Sequence, residues 1–270
     1  MLGPMSYGAA FCAVTYKPAL ARQAYADSKT LTEEKRDKLF EQMKKDAQLG
    51  WLVDVISAEA LSTKMLRKER YNLNAISYDS AFGLIQAALD AGVNVCEVVV
   101  DTVGDAEQYT QRLNARFPGI RCLAAAKADR DHPIVSAASI AAKVTRDNEL
   151  RDFAFEPGLT GDAAPGREWG CGYPGDAATV AWLSQHLQPV FGYPSLVRFS
   201  WATTKRLLEG PTAVPVRWEA DAEDEAAAGP STAKAGRLPF GAMPSHLAAS
   251  SGAGRHAYLR SRKLARVIAF

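Results

Sequence analysis

The chain has 270 residues, of which 47% are apolar and 23% are charged, a composition typical of a globular protein. This excludes a disordered, collagen-like or disulfide-scaffold class for the bulk of the chain. The net charge of +2 hides a division, because residues 1–209 carry 24 basic and 25 acidic side chains, whereas residues 210–270 carry 8 and 5. A near-neutral body argues against nucleic-acid binding by charge alone, unless an acidic metal site offsets a basic groove.

Neither the cysteines nor the apolar runs indicate a secreted or membrane protein. No stretch approaches the roughly 20 apolar residues that span a bilayer. Residues 1–16 carry no charge but lack the basic start of a secretory signal, so we interpret them as a buried strand. The cysteines have no C-x-x-C spacing, which predicts neither a zinc site nor a disulfide framework and favours a reducing compartment; they are Cys12, Cys96, Cys122 and Cys171.

The first quarter of the chain predicts a strand, a helix and a second strand. Residues 6–16 form an extended apolar segment. Thr30 and Glu33 have capping-box spacing and mark the start of the helix. Residues 51–58 are typical of a strand.

The next segments continue this alternation. Apolar residues at helical spacing predict a helix over 77–91, which Gly92 ends. The apolar, β-branched run 93–100 follows directly and predicts a buried strand that ends at Asp101. A helix is predicted over 105–117.

The third part of the chain repeats the pattern. Residues 120–126 predict a short strand and residues 133–153 a long helix. Helices that alternate with buried strands indicate an α/β domain. The segment 158–174 is rich in glycine and proline and predicts a long irregular loop.

The composition changes beyond residue 209. We therefore predict a folded body over 1–209 and a linker over 210–254, first acidic and then rich in Ala, Gly, Ser and Pro. Residues 255–270 combine five basic residues with apolar ones and predict a short helix that contacts a partner. A solvated basic end is the alternative.

Three local features of the sequence are candidates for a functional site. Asp101 and Asp129 each follow a predicted strand, at the sheet edge where α/β proteins place their sites, although Asp is also common in turns and caps. The helix start at 136–143 is rich in small residues, which suits either phosphate binding or close packing. Tyr173 lies in a glycine-rich turn and could stack on a sugar or base, or simply pack in the loop.

Taken in order, six motifs resemble the catalytic subunits of eukaryotic type 2 ribonucleases H, within the ribonuclease HII family. The resemblance extends from Leu2 to about Leu208. The motifs are Asp27-Ser28-Lys29-Thr30-Leu31, Tyr71-Asn72-Leu73-Asn74, Val100-Asp101-Thr102-Val103-Gly104, Ala126-Lys127-Ala128-Asp129, Val135-Ser136-Ala137-Ala138-Ser139-Ile140-Ala141-Ala142-Lys143-Val144 with Arg146-Asp147, and Gly172-Tyr173-Pro174.

The resemblance implies a ribonuclease H-like mixed sheet flanked by helices, with a helical C-terminal extension. It also implies an endonuclease that cuts the RNA strand of RNA/DNA hybrids and nicks duplex DNA at embedded ribonucleotides, leaving 5′-phosphate and 3′-hydroxyl ends. The reaction would use two Mg²⁺ or Mn²⁺ ions held by four carboxylates, of which Asp101 and Asp129 are two. Lys29, Asn72 and Lys127 would position the substrate, and Tyr173 would pack against the ribose. Accessory subunits of a heterotrimer and a nuclear location are implied in the same way.

One family motif has no counterpart here. An Asp-Glu-Ala-Gly-Arg-Gly strand, with the other two carboxylates, precedes the segment that matches Leu2-Gly3-Pro4-Met5 in the family, but this sequence starts at Met1. Loss of this central strand predicts unpaired backbone groups on both neighbours and an open core. A start codon assigned at an internal Met explains this, as does a shortened, inactive relative. We favour the first because Lys29, Asp101, Asp129 and Tyr173 are retained, and we expect weak or no activity from these 270 residues.

Two further hypotheses remain at this point. The chain could be a catalytically inactive scaffold that binds nucleic acid or accessory subunits through residues 255–270. It could instead be another two-metal nuclease on the same fold, such as a transposase-like or resolvase-like enzyme. Upstream metal carboxylates would argue against the scaffold, and cleavage of DNA that lacks ribonucleotides would support the second hypothesis.

Overall fold

A computed structural model describes residues 2–25, 30–67, 69, 71–102, 104–156 and 164–215. A single compact unit spans 1–214. The predicted linker from 216 onward and the predicted helix over 255–270 lie outside the described residues. The elements in chain order are β1 (Met5–Cys12), a 3₁₀ turn (Val14–Tyr16), α1 (Lys17–Leu20), α2 (Glu33–Lys45), β2 (Leu49–Ile56), α3 (Ala58–Leu66), α4 (Leu73–Asp90), β3 (Glu97–Asp101), α5 (Ala106–Arg116), β4 (Arg121–Ala125), α6 (Ala128–Asp131), α7 (Pro133–Arg151), α8 (Ala177–Gln185) and α9 (Ala202–Leu208).

The strands of the described chain form two separate pairs. β1 is antiparallel to β2, with Met5 opposite Ile56. β3 is parallel to β4, with Asp101 opposite Ala125. The predicted α/β class with mixed strand directions is therefore confirmed, and the carboxyl ends of β3 and β4 lie together as the alternating pattern predicted.

Helices α4 and α7 cover β1 from opposite faces. Successive side chains of a strand point to opposite faces. The Tyr7 hydroxyl hydrogen bonds to the Ser77 hydroxyl of α4 at 2.7 Å, whereas the backbone at Gly8 packs against Ala138 of α7. No space exists for a Cβ at Gly8, because it would overlap the Ala138 carbonyl oxygen. β1 is therefore the centre of a three-layer arrangement.

The apolar core has three parts around this centre. Leu39, Phe40 and Met43 of α2 pack against α7 and the β1–β2 pair. Tyr109 and Leu113 of α5 pack against β4 and α4. The third cluster joins the beginning and end of the unit, and its buried members include Leu2, Trp169, Trp182, Leu196 and Trp201.

A cavity of about 700 Å³ separates the two strand pairs. Consecutive residues of β1 line one side of it and consecutive residues of β3 line the other. Within the described residues each of these two strands pairs with one neighbour only. The open space therefore lies between β1 and β3. No described helix is long and apolar enough to cross a membrane.

Several predicted element boundaries were wrong, and side-chain caps explain them. Thr32, not Thr30, caps α2, and its hydroxyl oxygen accepts a hydrogen bond from the Lys35 N–H at 3.4 Å. α4 begins at Leu73, four residues before the predicted start, because Asn72 caps it there. Helix α3, which Ser57 caps directly after β2, was not predicted.

Candidate active site

Asp101 and Asp129 lie together at one end of the cavity. Asp101 is the last residue of β3, and its Oδ1 accepts a hydrogen bond from the Ala128 N–H at 3.2 Å. Asp129 follows Ala128 in the short helix α6 and is only 5% exposed. Both residues line the cavity. Asp101 is thus hydrogen bonded to the residue directly before Asp129, so the two residues lie close together at the ends of β3 and of the β4–α6 segment.

Helix α7, which follows α6, fixes the backbone around Asp129. The Ser136 hydroxyl, in the first turns of α7, donates a hydrogen bond to the Asp129 carbonyl oxygen. Ser136 is itself 1% exposed. The small residues predicted at this helix start therefore serve close packing here, and they hold the α6–α7 corner against the end of β3.

Lys127, which lies between Asp101 and Asp129 in the sequence, has an unusual backbone conformation. Its φ of 57° and ψ of 38° are left-handed, and among the described residues it is the one non-glycine residue with a positive φ. Non-glycine residues in this region are strained by about 1–2 kcal/mol. Such strain is concentrated at functional sites. The Lys127 side chain is exposed beside Asp129.

The described carboxylates make only part of a metal site. Carboxylate oxygens are the donors that Mg²⁺ and Mn²⁺ prefer, so Asp101 and Asp129 fit in kind. However, no group of three or more His, Cys, Asp or Glu side chains that could hold an ion occurs among the described residues. The number of ligands therefore does not fit a complete site, and its other ligands would have to come from beyond these residues.

Tyr173 lies over the middle of α7. The Arg146 guanidinium carbon is 4.9 Å from the centre of the Tyr173 ring and the Lys143 ammonium is 5.3 Å from it. Tyr173 is 39% exposed. A smaller cleft of about 330 Å³ beside it is lined by both cations and by Arg36 and Arg167. An exposed aromatic ring thus lies next to cationic side chains, three of which form ion pairs with Asp147: Arg36, Lys143 and Arg146.

Arg146 fixes this loop, although it was predicted only as a member of a family-like motif and not as a site residue. It is 4% exposed, and its guanidinium donates hydrogen bonds to the Leu2 carbonyl at 2.8 Å and the Cys171 carbonyl at 3.3 Å. Gly172 lies so close that a Cβ there would be 2.9 Å from Arg146 Nη2. A signal was present, because Arg146 falls in the i, i+4 stripe between Ala142 and Leu150, both buried.

Asn72 and Lys29 are the other two residues predicted to position the substrate. Asn72 is exposed at the start of α4, and its Oδ1 accepts a hydrogen bond from the Ala75 N–H at 2.8 Å, so it acts as a helix cap. Lys29 lies outside the described residues. The substrate roles of both residues stay predictions.

The fold with its paired carboxylates is of the ribonuclease H-like class. The structure of ribonuclease H2 from Pyrococcus horikoshii OT3 matches with a TM-score of 0.62 at 26% identity, covering 77% of this chain and 91% of that one. Ribonuclease HII of Archaeoglobus fulgidus, solved in a complex with PCNA, matches with a TM-score of 0.61 at 26% identity and the same two coverages.

Sequence comparison leads to the same class. The ribonuclease HII family model matches residues 1–204. A ribonuclease H2 subunit from Arabidopsis thaliana is 48% identical, covering 100% of this chain and 91% of that protein. The human protein of the same name is 47% identical, covering 83% and 74%. The chain belongs to the ribonuclease HII family, and it is an enzyme of the ribonuclease H type.

Proposed function

We propose that this protein is an endoribonuclease that hydrolyses the RNA strand of RNA/DNA hybrids and nicks duplex DNA at embedded ribonucleotides. Family membership supports the reaction type. The observation that carries the proposal in this chain is that Asp101 is hydrogen bonded to the residue before Asp129 and that both aspartates line the same cavity.

The cofactor belongs to this proposal. Mg²⁺ or Mn²⁺ would be held by Asp101 and Asp129 together with carboxylates from outside the described residues. When bound at such sites, divalent ions activate water and stabilise the leaving oxygen of a phosphodiester. The protein contributes a rigid position for the Asp101 carboxylate, because one of its oxygens is already fixed by the Ala128 N–H.

The substrate would lie across α7, from the carboxylates to Tyr173. Residues 136 and 143 are seven positions apart on this helix, which is a rise of roughly 10 Å. Lys127 at one end and Lys143, which forms an ion pair with Asp147, at the other would face the phosphates. The exposed ring of Tyr173 would pack against a ribose, which suits detection of a 2′-hydroxyl. Lys29 and Asn72 would contact the strand backbone.

The proposal is tested by cleavage of a duplex that contains one ribonucleotide. The 270-residue chain is compared with a chain extended upstream by a strand bearing Asp-Glu-Ala-Gly-Arg-Gly, both with Mg²⁺. We expect cleavage by the extended chain, a loss of at least about 100-fold in its Asp101→Asn variant, and little activity from the shorter chain.

Three other outcomes of this experiment would contradict parts of the proposal. Cleavage at the same rate by both chains, dependent on Asp101, would refute the need for further ligands. An extended chain that cuts neither hybrids nor ribonucleotide-containing DNA would refute the proposed function and favour the scaffold hypothesis. Cleavage of DNA without ribonucleotides would favour another nuclease activity on this fold.

Accessory subunits and a nuclear location complete the proposal. The names of the relatives, which are subunits of ribonuclease H2, support the first. The proposed substrate, duplex DNA with embedded ribonucleotides, supports the second. The basic segment 255–270 would contact the accessory subunits. Imaging of the tagged full chain in cells tests the location, and a cytoplasmic signal that excludes the nucleus would contradict it.

A further inference from the structure

The cationic cleft is the space of about 330 Å³ beside Tyr173. Five basic side chains line it, together with the carboxylates of Glu33 and Asp147. The basic residues are Arg36, Lys143, Arg146, Arg151 and Arg167. Five cations against two carboxylates leave the lining with an excess of positive charge, so the cleft favours an anionic ligand.

One of the two carboxylates, that of Asp147, is shared by three of the cations. These are Lys143 at 2.8 Å, Arg146 at 3.0 Å and Arg36 at 3.9 Å. Arg146 is almost fully buried, so it supports the wall of the cleft and does not face a ligand. The shared pairs hold α2 and α7 together on two sides of the cleft.

Arg167 and Arg151 are the exposed cations of the cleft. Arg167 donates hydrogen bonds to the carbonyl oxygens of Arg151 at 2.6 Å and Phe153 at 2.7 Å. Its guanidinium also lies 5.7 Å from the ring centre of Trp169. Carbonyl oxygens carry no full charge, so these contacts hold the guanidinium without neutralising it. Arg151 lies 3.3 Å from Glu33, but both side chains are more than half exposed, and such pairs are weak.

Helix α7 carries the cleft on the face that also meets Asp129. Ser136, whose hydroxyl contacts the Asp129 carbonyl, is seven residues before Lys143 and eleven before Asp147. Seven and eleven residues are close to whole numbers of helical turns, so these residues share one face of α7. Eleven residues rise by about 17 Å, which is the length of about five nucleotides of a duplex strand.

We propose that the cationic cleft binds one backbone phosphate of the nucleic acid, about five nucleotides from the ribonucleotide. Arg167 and Arg151 contact the phosphate oxygens, because a guanidinium matches the geometry of a phosphate. The contact reads no sequence and fixes the register of the duplex on the protein. The identity of the ligand rests on the proposed function, but the contact is tested by binding, without cleavage.

The salt dependence of binding tests the charge of the cleft. A fluorescent RNA/DNA hybrid is titrated with the full 270-residue chain at several salt concentrations. Arg167→Gln should weaken binding and lower the slope of log affinity against log salt by about one, because one phosphate contact is lost. Arg151→Gln changes an exposed side chain and should act in the same way, so the test stays decisive if Arg167→Gln does not fold.

Arg116→Gln is the matched control. The Arg116 guanidinium also lies over an aromatic ring, that of Phe117, at 5.4 Å from its centre. Arg116 ends α5, shortly before the start of β4, and so lies at the sheet edge opposite Asp101. We expect an unchanged slope for this variant. Equal slopes for Arg116→Gln and for both cleft variants would overturn the proposal.

Neutralisation of single phosphates locates the contact. Each duplex of a series carries one ribonucleotide and one methylphosphonate, which removes the charge of one phosphate. We expect affinity for the wild type to fall at least about tenfold at a position about five nucleotides from the ribonucleotide. The same methylphosphonate should cost Arg167→Gln no further affinity. Equal affinity for all duplexes of the series would overturn the proposal.

Two other ligands of the cleft are separate outcomes. A free phosphate ion is assigned if inorganic phosphate raises the unfolding temperature more than chloride at equal ionic strength, Arg167→Gln abolishes this effect, and the methylphosphonate series is flat. An acidic protein partner is assigned if a labelled hexaglutamate peptide binds as tightly as the hybrid and depends on Arg167. Either result would overturn the proposal but leave the proposed function in place, which cleavage by the extended chain tests separately.

Discussion

Lys127 combines a strained backbone with a position beside the buried Asp129. Left-handed backbone conformations favour glycine, since a side chain at a positive φ crowds the neighbouring carbonyl. This chain has a lysine at the corner although glycine would fit it more easily. This is best explained by a role of the ammonium group at the site, which is consistent with its proposed contact to phosphate.

Two substitutions at Lys127 separate its backbone from its charge. Lys127→Gly relieves the strain, so we expect a free energy of unfolding equal to that of the wild type or higher by up to about 1 kcal/mol. Lys127→Val should lower it by about 1–2 kcal/mol, because β-branched residues tolerate this conformation least. Urea unfolding measures both, and equal stability of the two variants would contradict the left-handed assignment.

The charge is tested by the salt dependence of binding. If the Lys127 ammonium contacts a phosphate, Lys127→Gly should weaken binding to an RNA/DNA hybrid and reduce the slope of log affinity against log salt by about one. Fluorescence anisotropy at several salt concentrations measures the slope. An unchanged slope would remove Lys127 from the proposed substrate contacts.

Asp176 holds the Tyr173 loop through its ionised carboxylate. Hydrogen bonds from the Cys171 thiol and from the backbone N–H groups of Cys171 and Ala178 keep the pKa of Asp176 below its ordinary 3.8. Because this pKa is lowered in the folded state, the stabilisation is complete above about pH 4 and is lost as the pH falls through the folded-state pKa.

Asp176→Asn should therefore be less stable than the wild type at pH 6, and the difference should shrink as the pH falls below 3.8. Asparagine presents one carbonyl oxygen where the carboxylate presents two charged oxygens to these donors. Urea unfolding of both proteins at pH 6 and pH 3 measures the two differences. A difference that is equal at both values would show that the charge of Asp176 is not what holds the loop.

Among the elements, β1 and α7 depend on each other most closely. Gly8 allows the strand to touch the α7 backbone at Ala138, and this brings the start of α7 to the corner that carries Asp129. An apolar pattern indicates a strand at 6–16, but it does not show which face lies against backbone. The glycine at position 8 is the only local sign of this close contact in β1.

Gly8→Ala and Gly83→Ala form a matched test of this contact. A Cβ at Gly8 overlaps the Ala138 carbonyl, so we expect a loss of about 2–3 kcal/mol in the free energy of unfolding. Gly83 lies in α4 with open space around it, and alanine there should add about 0.5–1 kcal/mol. Thermal or urea unfolding measures both changes, and a stable Gly8→Ala protein would contradict the close approach of α7.

At the scale of the whole molecule, we predict that the body carries out catalysis and that the basic C-terminal segment contacts accessory subunits. Removal of residues 255–270 should weaken the capture of accessory subunits in a pull-down and leave the body folded. Removal of 239–254, which has the same length but is mostly Ala, Gly, Ser and Pro, is the control and should change capture little. Unchanged capture after removal of 255–270 would refute the partner role of this segment.

The sequence by itself determined most of the local structure and the class of the protein. Periodic apolar patterns, breakers and caps act over a few residues, so the principal helices and strands were predicted, with errors where Thr32 and Asn72 cap helices. The position of Asp101 and Asp129 after successive strands was sufficient to predict that they lie at the same edge, because parallel strands end there together.

Only the tertiary structure decided the features that depend on residues far apart in the chain. Arg146 joins Leu2, 144 positions away, to the loop of Tyr173, and no pattern within α7 specifies those partners. The open space between β1 and β3 likewise results from how two strand pairs and two helices pack. Hydrogen bonds and packing between distant segments fix such features. A single sequence indicates them only indirectly, through residues such as Gly8, where the need for glycine is explained once the neighbouring Ala138 carbonyl is known.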